Sequence, residues 1–401
     1  MAKVKLSELV SFIRGVSYKK EQASKEKRNS FIAILRANNI IDGIISFDEL
    51  VFVPSDLVFP RQMISKGDIV ITMSSGSKAH VGKVAIAPHD IQAAFGAFCG
   101  KIVPEKILPK YLFYVLRSPD FRKHIEISSK GTNINNLKQN YILDYEIQLP
   151  SREEQKRIVA KIEELFSELD SGVEKLEKTR IELKQYKYSV IDGVLSLENQ
   201  KPIADCIKEL GQGWSPKCER YNTVDDEKWA VIKTTAVQPC QFLFDENKAL
   251  PTSLAPREKH EIKVGDILIT RAGPKSRCGV CCMVKKTKRR LLNCDKVYRL
   301  RLDEKSILPQ YFEYVLNSTT FIQEINICKT GGNDSGLNLT QERFLTLKIP
   351  VPSIGQQERI VSEIESRLSV CDSIEKTVDA ALLQAEAMRQ SILKKAFEGG
   401  L

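Results

Sequence analysis

Two long stretches of the chain carry apolar residues at alternating intervals of three and four positions. The first runs from about residue 152 to residue 196, with apolar positions at Ile162, Leu165, Leu169, Leu176, Leu183, Tyr186 and Val190. The second runs from about residue 353 to residue 397, with apolar positions at Ile360, Ile364, Leu368, Cys371, Ile374, Val378, Leu382 and Ile392. This spacing is typical of helices that pack through a narrow seam. A helix of this length extends about 65–70 Å and cannot bury its stripe on a small domain, so we predict that the two helices pack against each other.

Shorter apolar runs precede these stretches. Ile69–Thr72 and Val84–Ile86 have the length and composition of strands, and the small residues at 74–78 between them predict a loop. The Tyr-rich segment 110–116 predicts a helix with one apolar face. Ser151 is the expected N-cap of the first long helix. The pattern therefore predicts a mixed α/β globular part that is followed by a long helix.

The same plan occurs twice, because the chain contains an internal repeat. Segments recur in one order with an offset between 197 and 202: 15–17 as 213–215, 31–34 as 229–232, 66–72 as 264–270, 107–116 as 307–316 and 155–159 as 357–361. Ordered matches of this kind predict two copies of one module. We expect an α+β fold with two globular α/β domains, head 1 (1–150) and head 2 (198–352). Two spacer helices (151–197 and 353–401) would form an antiparallel coiled coil, with a pseudo-twofold axis relating the modules.

The net charge of +10 is concentrated in the heads. Head 1 has 21 Lys and Arg against 14 Asp and Glu, and head 2 has 25 against 19. The spacer segments are slightly acidic, with 9 against 10 and 6 against 8. Two basic heads suggest two surfaces that face a polyanion, although an ordinary Lys-rich surface gives a similar balance. Two similar heads on rigid helices suit two separated sites on a linear lattice such as duplex DNA.

No catalytic motif is recognisable in the sequence. It lacks the Asn/Asp-Pro-Pro-Tyr/Phe loop of adenine methyltransferases and the Gly-x-x-x-x-Gly-Lys-Ser/Thr phosphate loop, and its four histidines are scattered. We therefore expect a non-catalytic protein that binds no metal and no cofactor itself. Because we find no apolar run of membrane-spanning length and no signal-peptide pattern, we expect a cytoplasmic location and no membrane partner.

The cysteines are concentrated in the second half of the chain. Nine of the ten follow residue 200, and we expect reduced thiols. Cys278 and Cys281 have the Cys-x-x-Cys spacing of a zinc site. The matched segment of head 1, 82–87, has no cysteine, which favours small thiols buried in a strand.

The first candidates for DNA contact lie in a matched loop of each head. In head 1 the loop follows Ile69–Thr72, and its candidates are Ser74, Ser75, Ser77, Lys78 and His80. In head 2 the candidates are Arg271, Lys275 and Arg277. The loops share a place in the module but differ in residue type, as expected of two readers of different sequences. Arginines suit guanine edges or phosphates, and an exposed hairpin that binds nothing is the alternative.

A second matched pair of loops is rich in Gly, Asn and Lys. Its candidates are Lys130, Asn133, Asn135 and Lys138 in head 1, and Thr330 and Asn333 in head 2. Asn suits adenine edges, Lys suits phosphates, and Gly lets the backbone approach a ligand closely. The alternative is a turn followed by a helix cap, with Asn136 and Asn338 as structural residues.

Basic segments elsewhere supply a third set of candidates. They are Lys19 and Lys20 in a cluster of head 1, Arg36, Lys233 and Thr234 after matched strands, and Lys288, Arg289 and Arg290 in the run 285–290 of head 2. Such residues suit contact with phosphates regardless of base sequence. For the run in head 2, a solvated turn between strands is the alternative.

The sequence resembles the specificity subunits of type I restriction-modification systems. The resemblance is carried by 149–159 and 349–361, where a proline precedes Gln-x-x-Ile at the start of a long helix, and by 391–401 with its counterpart 189–195. It covers the whole chain. It implies that each head is a target recognition domain for one half of a bipartite, asymmetric DNA target. It also implies that S-adenosylmethionine, ATP and Mg chemistry belongs to the modification (M) and restriction (R) subunits of the complex.

The resemblance further implies that the spacer helices set the distance between half-sites and dock two M subunits. The residues expected to carry this spacing and docking role are Ile162, Leu165, Leu169, Leu176, Leu183, Ile364, Leu368, Ile374, Val378 and Leu382.

Three other functions are compatible with parts of the pattern. A free-standing pseudo-dimeric DNA-binding regulator would bind DNA tightly without partner subunits. A methyltransferase or nuclease with degenerate motifs would bind a cofactor or a metal by itself. A coiled-coil scaffold with no DNA role is disfavoured by the concentration of positive charge in the heads.

Overall fold

The computed structural model describes residues 3–76, 80–128, 136–195 and 199–400. It divides into two compact units: unit 1 comprises 1–176 and 380–401, and unit 2 comprises 177–379. Each unit contains one head and parts of both long helices. The predicted α+β class is confirmed, with two β-rich regions and two long helices in contact.

Unit 1 contains the strands of head 1. They are β1 Lys3–Lys5, β2 Val10–Arg14, β3 Phe31–Leu35, β4 Ile40–Ile41, β5 Ile44–Ile45, β6 Val51–Pro54, β7 Ile69–Thr72, β8 Val84–Ile86, β9 Ala93–Phe95, β10 Cys99–Pro104 and β11 Glu146–Gln148. An antiparallel sheet has the order β2-β10-β7-β8. A second sheet has the order β6-β3-β9, in which β3 and β9 are parallel. The two strands predicted from the sequence are observed as β7 and β8.

Unit 2 repeats this plan in head 2. Its strands are β12 Gln200–Pro202, β13 Ile207–Gln212, β14 Ala230–Ile232, β15 Val237–Gln238, β16 Gln241–Phe242, β17 Asn247–Ala249, β18 Ile267–Thr270, β19 Ala272–Gly273, β20 Cys281–Met283, β21 Leu291–Leu292, β22 Val297–Leu302, β23 Lys329–Thr330, β24 Leu337–Leu339 and β25 Lys348–Pro350. The sheets β13-β22-β18-β20 and β17-β14-β21 correspond in order and direction to the two sheets of head 1.

The helices follow the same repeat. They are α1 Pro109–Arg117, α2 Pro119–Ser128, α3 Gln139–Leu143, α4 Arg152–Val194, α5 Pro309–Asn317, α6 Thr319–Cys328, α7 Gln341–Leu345 and α8 Ile354–Phe397. The Oγ of Ser151 accepts a hydrogen bond from the N–H of Glu154 at 3.2 Å, which confirms the predicted cap of α4. No helix in the described ranges is both long enough and apolar enough to cross a membrane.

In each unit a short helix packs against the main sheet and the long helices. The helix predicted at 110–116 is observed as α1, but all six residues 111–116 are buried, so α1 is covered on every side and not along one apolar face alone. In unit 1 they share a core with Ile162 of α4 and with Leu393 of α8, and the ring of Tyr111 meets the ring of Phe397 edge to face at 5.5 Å. In unit 2, α5 likewise packs in the core of the sheet β13-β22-β18-β20, with Ile360 of α8 against it.

A buried glutamine joins each head to its long helix. The Oε1 of Gln155 accepts a hydrogen bond from the N–H of Leu108 at 2.9 Å, and its Nε2 donates to the carbonyl of Pro150 at 3.0 Å. Gln357 repeats this with the N–H of Leu308 at 2.8 Å and the carbonyl of Pro352 at 2.8 Å. The repeated glutamine therefore fixes the start of a long helix to the segment that leads into α1 or α5.

The aspartate of the repeated Gly-Asp pair is a buried ion-pair partner that the sequence analysis missed. In unit 1, Asp68 pairs with Lys101 at 2.8 Å, and both side chains are 6% exposed. In unit 2, Asp266 lies beside Arg299 and accepts from the Nε of Arg301 at 3.1 Å. A buried charge requires a partner of opposite sign, so this pair explains why both modules keep the aspartate.

The seam between the long helices is less apolar than predicted. The leucines predicted at the seam are half-buried, but Tyr186 is 51% exposed and Ile374 is 41% exposed, so the prediction was wrong for these two residues. In unit 2, Lys187 pairs with Asp372 at 2.8 Å and with Glu375 at 2.6 Å. Ion pairs thus replace apolar contacts here, because the helical repeat turns Ile374 to the solvent side.

The direction of the helices is also clear within unit 2. Lys187 of α4 faces Asp372 and Glu375 of α8, whereas the later residue Ile191 packs in a cluster with the earlier residue Ile364. The helices are therefore antiparallel in this unit, as predicted. In unit 1, Arg389 of α8 pairs with Asp170 of α4.

Candidate nucleic-acid interface

The two loops that the sequence analysis selected in head 1 lie side by side. Ser74 forms an isolated antiparallel bridge with Asn136, and the N–H of Leu137 donates to the carbonyl of Met73 at 2.7 Å. Lys138 and His80 are exposed nearby in the chain. Ser75 is half-buried. The other candidates of these loops lie outside the described residues; they are Ser77, Lys78, Lys130, Asn133 and Asn135.

The matched loops of head 2 also meet, in the three-stranded sheet β19-β24-β23. The N–H of Leu339 donates to the carbonyl of Arg271 at 2.7 Å, and the N–H of Lys275 donates to the carbonyl of Asp334 at 2.8 Å. Thr330 pairs with Asn338 in this sheet, and Asn333 is exposed. Each head thus brings two separate sequence segments together into one surface, which we call the loop surface.

A third segment reaches the loop surface, and the sequence analysis did not select it. In head 1 it is the turn 96–99 between β9 and β10, where the carbonyl of Phe98 accepts from the N–H groups of Met73 and Ser74. In head 2 it is the turn 294–297, where the carbonyl of Lys296 accepts from the N–H of Arg271 at 2.9 Å. A comparison of the two modules with β9 and β21 aligned would have identified this turn.

A left-handed glycine closes the base of the first loop in both heads. Gly82 has φ +78°, and its N–H donates to the carbonyl of Thr72. Gly279 has φ +84°, and its N–H donates to the carbonyl of Thr270. At Gly279 a Cβ atom would lie 2.5 Å from Cγ2 of Ile325. Only glycine adopts this backbone without strain at such close approach, so the loops leave and re-enter the sheet at fixed points.

The two arginines of the head 2 loop have different environments. Arg271 is half-buried, with Nε donating to the carbonyl of Asp295 at 2.9 Å and the guanidinium 5.8 Å from the ring of Tyr298. Arg277 donates from Nη2 to the carbonyls of Thr234 and Val237 at 2.6 and 2.7 Å. Arg277 therefore holds the loop to the rest of head 2, and we retain only Arg271 as a candidate for base contact.

The basic run of head 2 is mainly a structural turn. Lys288 is 4% exposed and donates from Nζ to the carbonyls of Lys228 and Arg289, and burial lowers its pKa. Arg290 pairs with Glu227 at 3.0 Å. Of these three residues, only Arg289 is exposed. The alternative of a turn between strands therefore fits two of the three residues.

The other basic candidates are dispersed. Lys19 and Lys20 are exposed at a short 3-10 turn. Arg36 donates from Nη2 to the carbonyl of Glu49 at 2.8 Å, and Lys233 lies 3.3 Å from the carboxylate of Glu246. Arg36 directly follows Leu35, whose carbonyl accepts from Gly96, so it lies close to the loop surface of head 1.

The cysteines of head 2 lie in apolar surroundings. Cys281 belongs to the core of the sheet β13-β22-β18-β20, whereas the adjacent Cys282 belongs to a second core beside β14 and β21. Burial raises the pKa of Cys294 to about 11, and it also raises the pKa of Cys281 and of Cys282. Within the described ranges, no three His, Cys, Asp or Glu side chains are grouped so as to hold a metal ion.

Comparison with known proteins gives consistent matches. The family model for the type I restriction modification DNA specificity domain matches residues 1–183. The chain is 33% identical to the EcoKI specificity subunit of Escherichia coli K12 and 32% identical to the StySPI specificity subunit of Salmonella potsdam. Each alignment covers 99% of this chain and 88% of the relative.

A solved chain from a study of complex assembly and conformational transition in the type I R-M system has the same fold. Its TM-score is 0.69 at 18% identity, and the superposition covers 100% of this chain and 98% of the other.

Proposed function

Since this chain belongs to the family of type I restriction-modification specificity subunits, we propose that it reads a bipartite, asymmetric DNA target and docks two M subunits. Members of this family recognise the DNA target and are themselves non-catalytic. The observation that carries the bipartite proposal is the loop surface, which recurs in both heads with matching backbone hydrogen bonds among the described residues and with different side chains. Residues 1–150 and 198–352 would be the two recognition domains.

The difference between the loop surfaces favours an asymmetric target. Head 1 has the buried Met73 and the exposed Phe98 where head 2 has Arg271 and Lys296. An exposed phenylalanine suits a thymine methyl group, whereas arginine and lysine suit guanine O6 and N7. Two heads with these side chains would read different bases, so the half-sites would not be copies of each other.

Exposed lysines and arginines of the two heads would position the DNA. Lys19, Lys20 and Lys138 in head 1, and Lys275 and Arg289 in head 2, are exposed. Contacts of this kind add affinity and salt dependence but carry no base preference. S-adenosylmethionine, ATP and Mg would be bound by the M and R subunits.

Replacing Arg271 with alanine should relax the base preference at one position of the half-site read by head 2. Loss of a bidentate contact to guanine costs about 1–3 kcal/mol of discrimination. The measurement is sequencing of methylated adenines in DNA from cells that express the whole complex. Arg220→Ala, which removes an exposed arginine of the same head, is the control and should leave the motif unchanged. An unchanged motif in Arg271→Ala would contradict base reading by this residue.

Exposed apolar residues on the long helices are the proposed docking surfaces for M subunits. In unit 1 they are Leu383, 76% exposed, and Met388, 47% exposed. In unit 2 they are Ile181, Tyr186, Val370 and Ile374, all at least 41% exposed. Apolar residues in such number on paired helices favour burial against another helical protein, and an M subunit is the partner that the family relationship supplies.

Replacing Leu383 with glutamate should weaken association with the M subunit by at least about tenfold, because a charge would be buried in an apolar contact. Co-purification and titration of the M subunit, followed by light scattering, would measure this effect. Gln384→Glu introduces the same charge at the next exposed position of α8 and should have little effect. Equal binding by both variants would exclude this part of α8 from the docking surface.

A further inference from the structure

The turn between β9 and β10 presents a large apolar side chain beside the loop surface of head 1. Phe98 is 69% exposed, yet its carbonyl accepts from the N–H of Met73 at 2.8 Å and from the N–H of Ser74 at 3.1 Å. The turn is closed by the N–H of Cys99, which donates to the carbonyl of Gly96 at 2.8 Å. The ring therefore projects into solvent from a backbone that is tied to the first loop.

A close backbone approach fixes this turn in place. A Cβ atom on Gly15 would lie 2.1 Å from the carbonyl oxygen of Gly96. The N–H of the next residue, Val16, donates to the carbonyl of Phe95 at 2.7 Å. The glycine of the repeated segment 15–17 thus lets the end of β2 press against the turn, and the turn cannot move without disturbing the sheet.

Head 2 builds the same turn with a different side chain. The N–H of Val297 donates to the carbonyl of Cys294 at 3.2 Å. A Cβ atom on Gly213 would lie 2.2 Å from the carbonyl oxygen of Asn293, so this glycine also permits a close backbone approach. Lys296 is exposed at the place of Phe98. A base-reading position requires a side chain that is exposed and can differ between heads. It also requires a fixed backbone, because little backbone entropy is then lost on binding.

We propose that this turn is a third specificity-determining element in each head, with Phe98 and Lys296 as its reading residues. Phe98 makes an apolar contact with the 5-methyl group of a thymine in the half-site of head 1, and Lys296 donates to O6 or N7 of a guanine in the half-site of head 2. This inference rests on the proposed function, since it presupposes that the heads read DNA. It adds to each loop surface a residue that the loop motifs did not contain.

Substitution of Phe98 in the assembled complex tests the proposal. In cells that express the full set of subunits, adenine methylation is mapped over a plasmid library with all bases at each half-site position. In Phe98→Ala, the preference for thymine at one position of one half-site should fall about tenfold, while the other half-site is unchanged. Lys296→Ala should alter one position in the other half-site only. Phe98→Leu keeps an apolar side chain and should retain part of the preference.

The control is Ile44→Ala, which removes a side chain that is 70% exposed in the hairpin β4–β5 of the same head. It should leave every base preference unchanged. The proposal is overturned if Phe98→Ala leaves the motif unaltered or lowers methylation equally at all sequences. If Phe98→Ala does not assemble, the same two outcomes in Phe98→Leu overturn it. A wild-type complex without a bipartite motif would instead contradict the proposed function.

Discussion

Replacing Asp68 with alanine is expected to destabilise unit 1 by about 3–5 kcal/mol, because the ammonium group of Lys101 would remain buried without a counter-charge. The pair is 2.8 Å apart and almost fully shielded from water. The same carboxylate accepts a hydrogen bond from the N–H of Ser65 at 2.8 Å, which alanine also removes. Denaturant unfolding followed by circular dichroism would measure the loss. Hydrogen exchange of head 1 peptides would show where it occurs.

The second module supplies the matched control. Asp266→Ala should cost less, because Arg299 keeps Glu209 at 2.6 Å and donates to the carbonyl of Glu261 at 2.7 Å. The double variant Asp68→Leu with Lys101→Met should recover much of the stability, since no charge remains buried. A loss below about 1 kcal/mol in Asp68→Ala would show that water reaches Lys101 and that the pair is not a buried one.

Shortening both long helices by seven residues is expected to change the preferred spacer between the half-sites. Deleting 173–179 from α4 and 380–386 from α8 removes about 10 Å from each helix, at 1.5 Å per residue. At 3.4 Å per base pair this corresponds to about three base pairs. The spacer would be measured by mapping adenine methylation over a library of targets in which only the distance between half-sites varies.

The outcome shows whether the long helices set the distance between the half-sites or only connect the two heads. Both half-site sequences should be retained, because the deletions leave the loop surfaces intact. Replacing Gly172 with alanine in α4 is a suitable control, since a Cβ atom there meets no other group within 4 Å. If the shortened protein methylates targets with the original spacer, the helices do not set the distance.

Much of the architecture could be predicted because it is repeated and periodic. The segments Ile69–Thr72 and Val84–Ile86 were predicted as strands with their observed bounds, since both are short apolar runs between small loop residues. The start of α4 followed from Ser151. The prediction that Tyr186 and Ile374 lie in the seam was wrong. The spacing of apolar residues does not reveal that Lys187 and two carboxylates form the contact between α4 and α8 there.

The candidate site was predicted only in part. The loops after β7 and β18 contain glycine and basic residues, so their composition pointed to them. The turns at 96–99 and 294–297 were missed because Phe98 and Lys296 share no residue type, and the hydrogen bonds from the loop backbone reveal their common place. Lys288 and Arg277 were selected for their charge, but each donates a hydrogen bond to a carbonyl group that lies 60 or 43 residues away in the sequence.

The core of unit 1 has a consequence for the order in which the protein can fold during synthesis. Leu393, Ala396 and Phe397 pack with Tyr111 and Ile162, so residues made near the end complete a hydrophobic core begun by residues made early. While the ribosome translates head 2, the C-terminal residues of α8 that pack against α1 have not yet been made. Nascent chains should therefore depend on chaperones until α8 emerges, and unit 2 should reach its native state first.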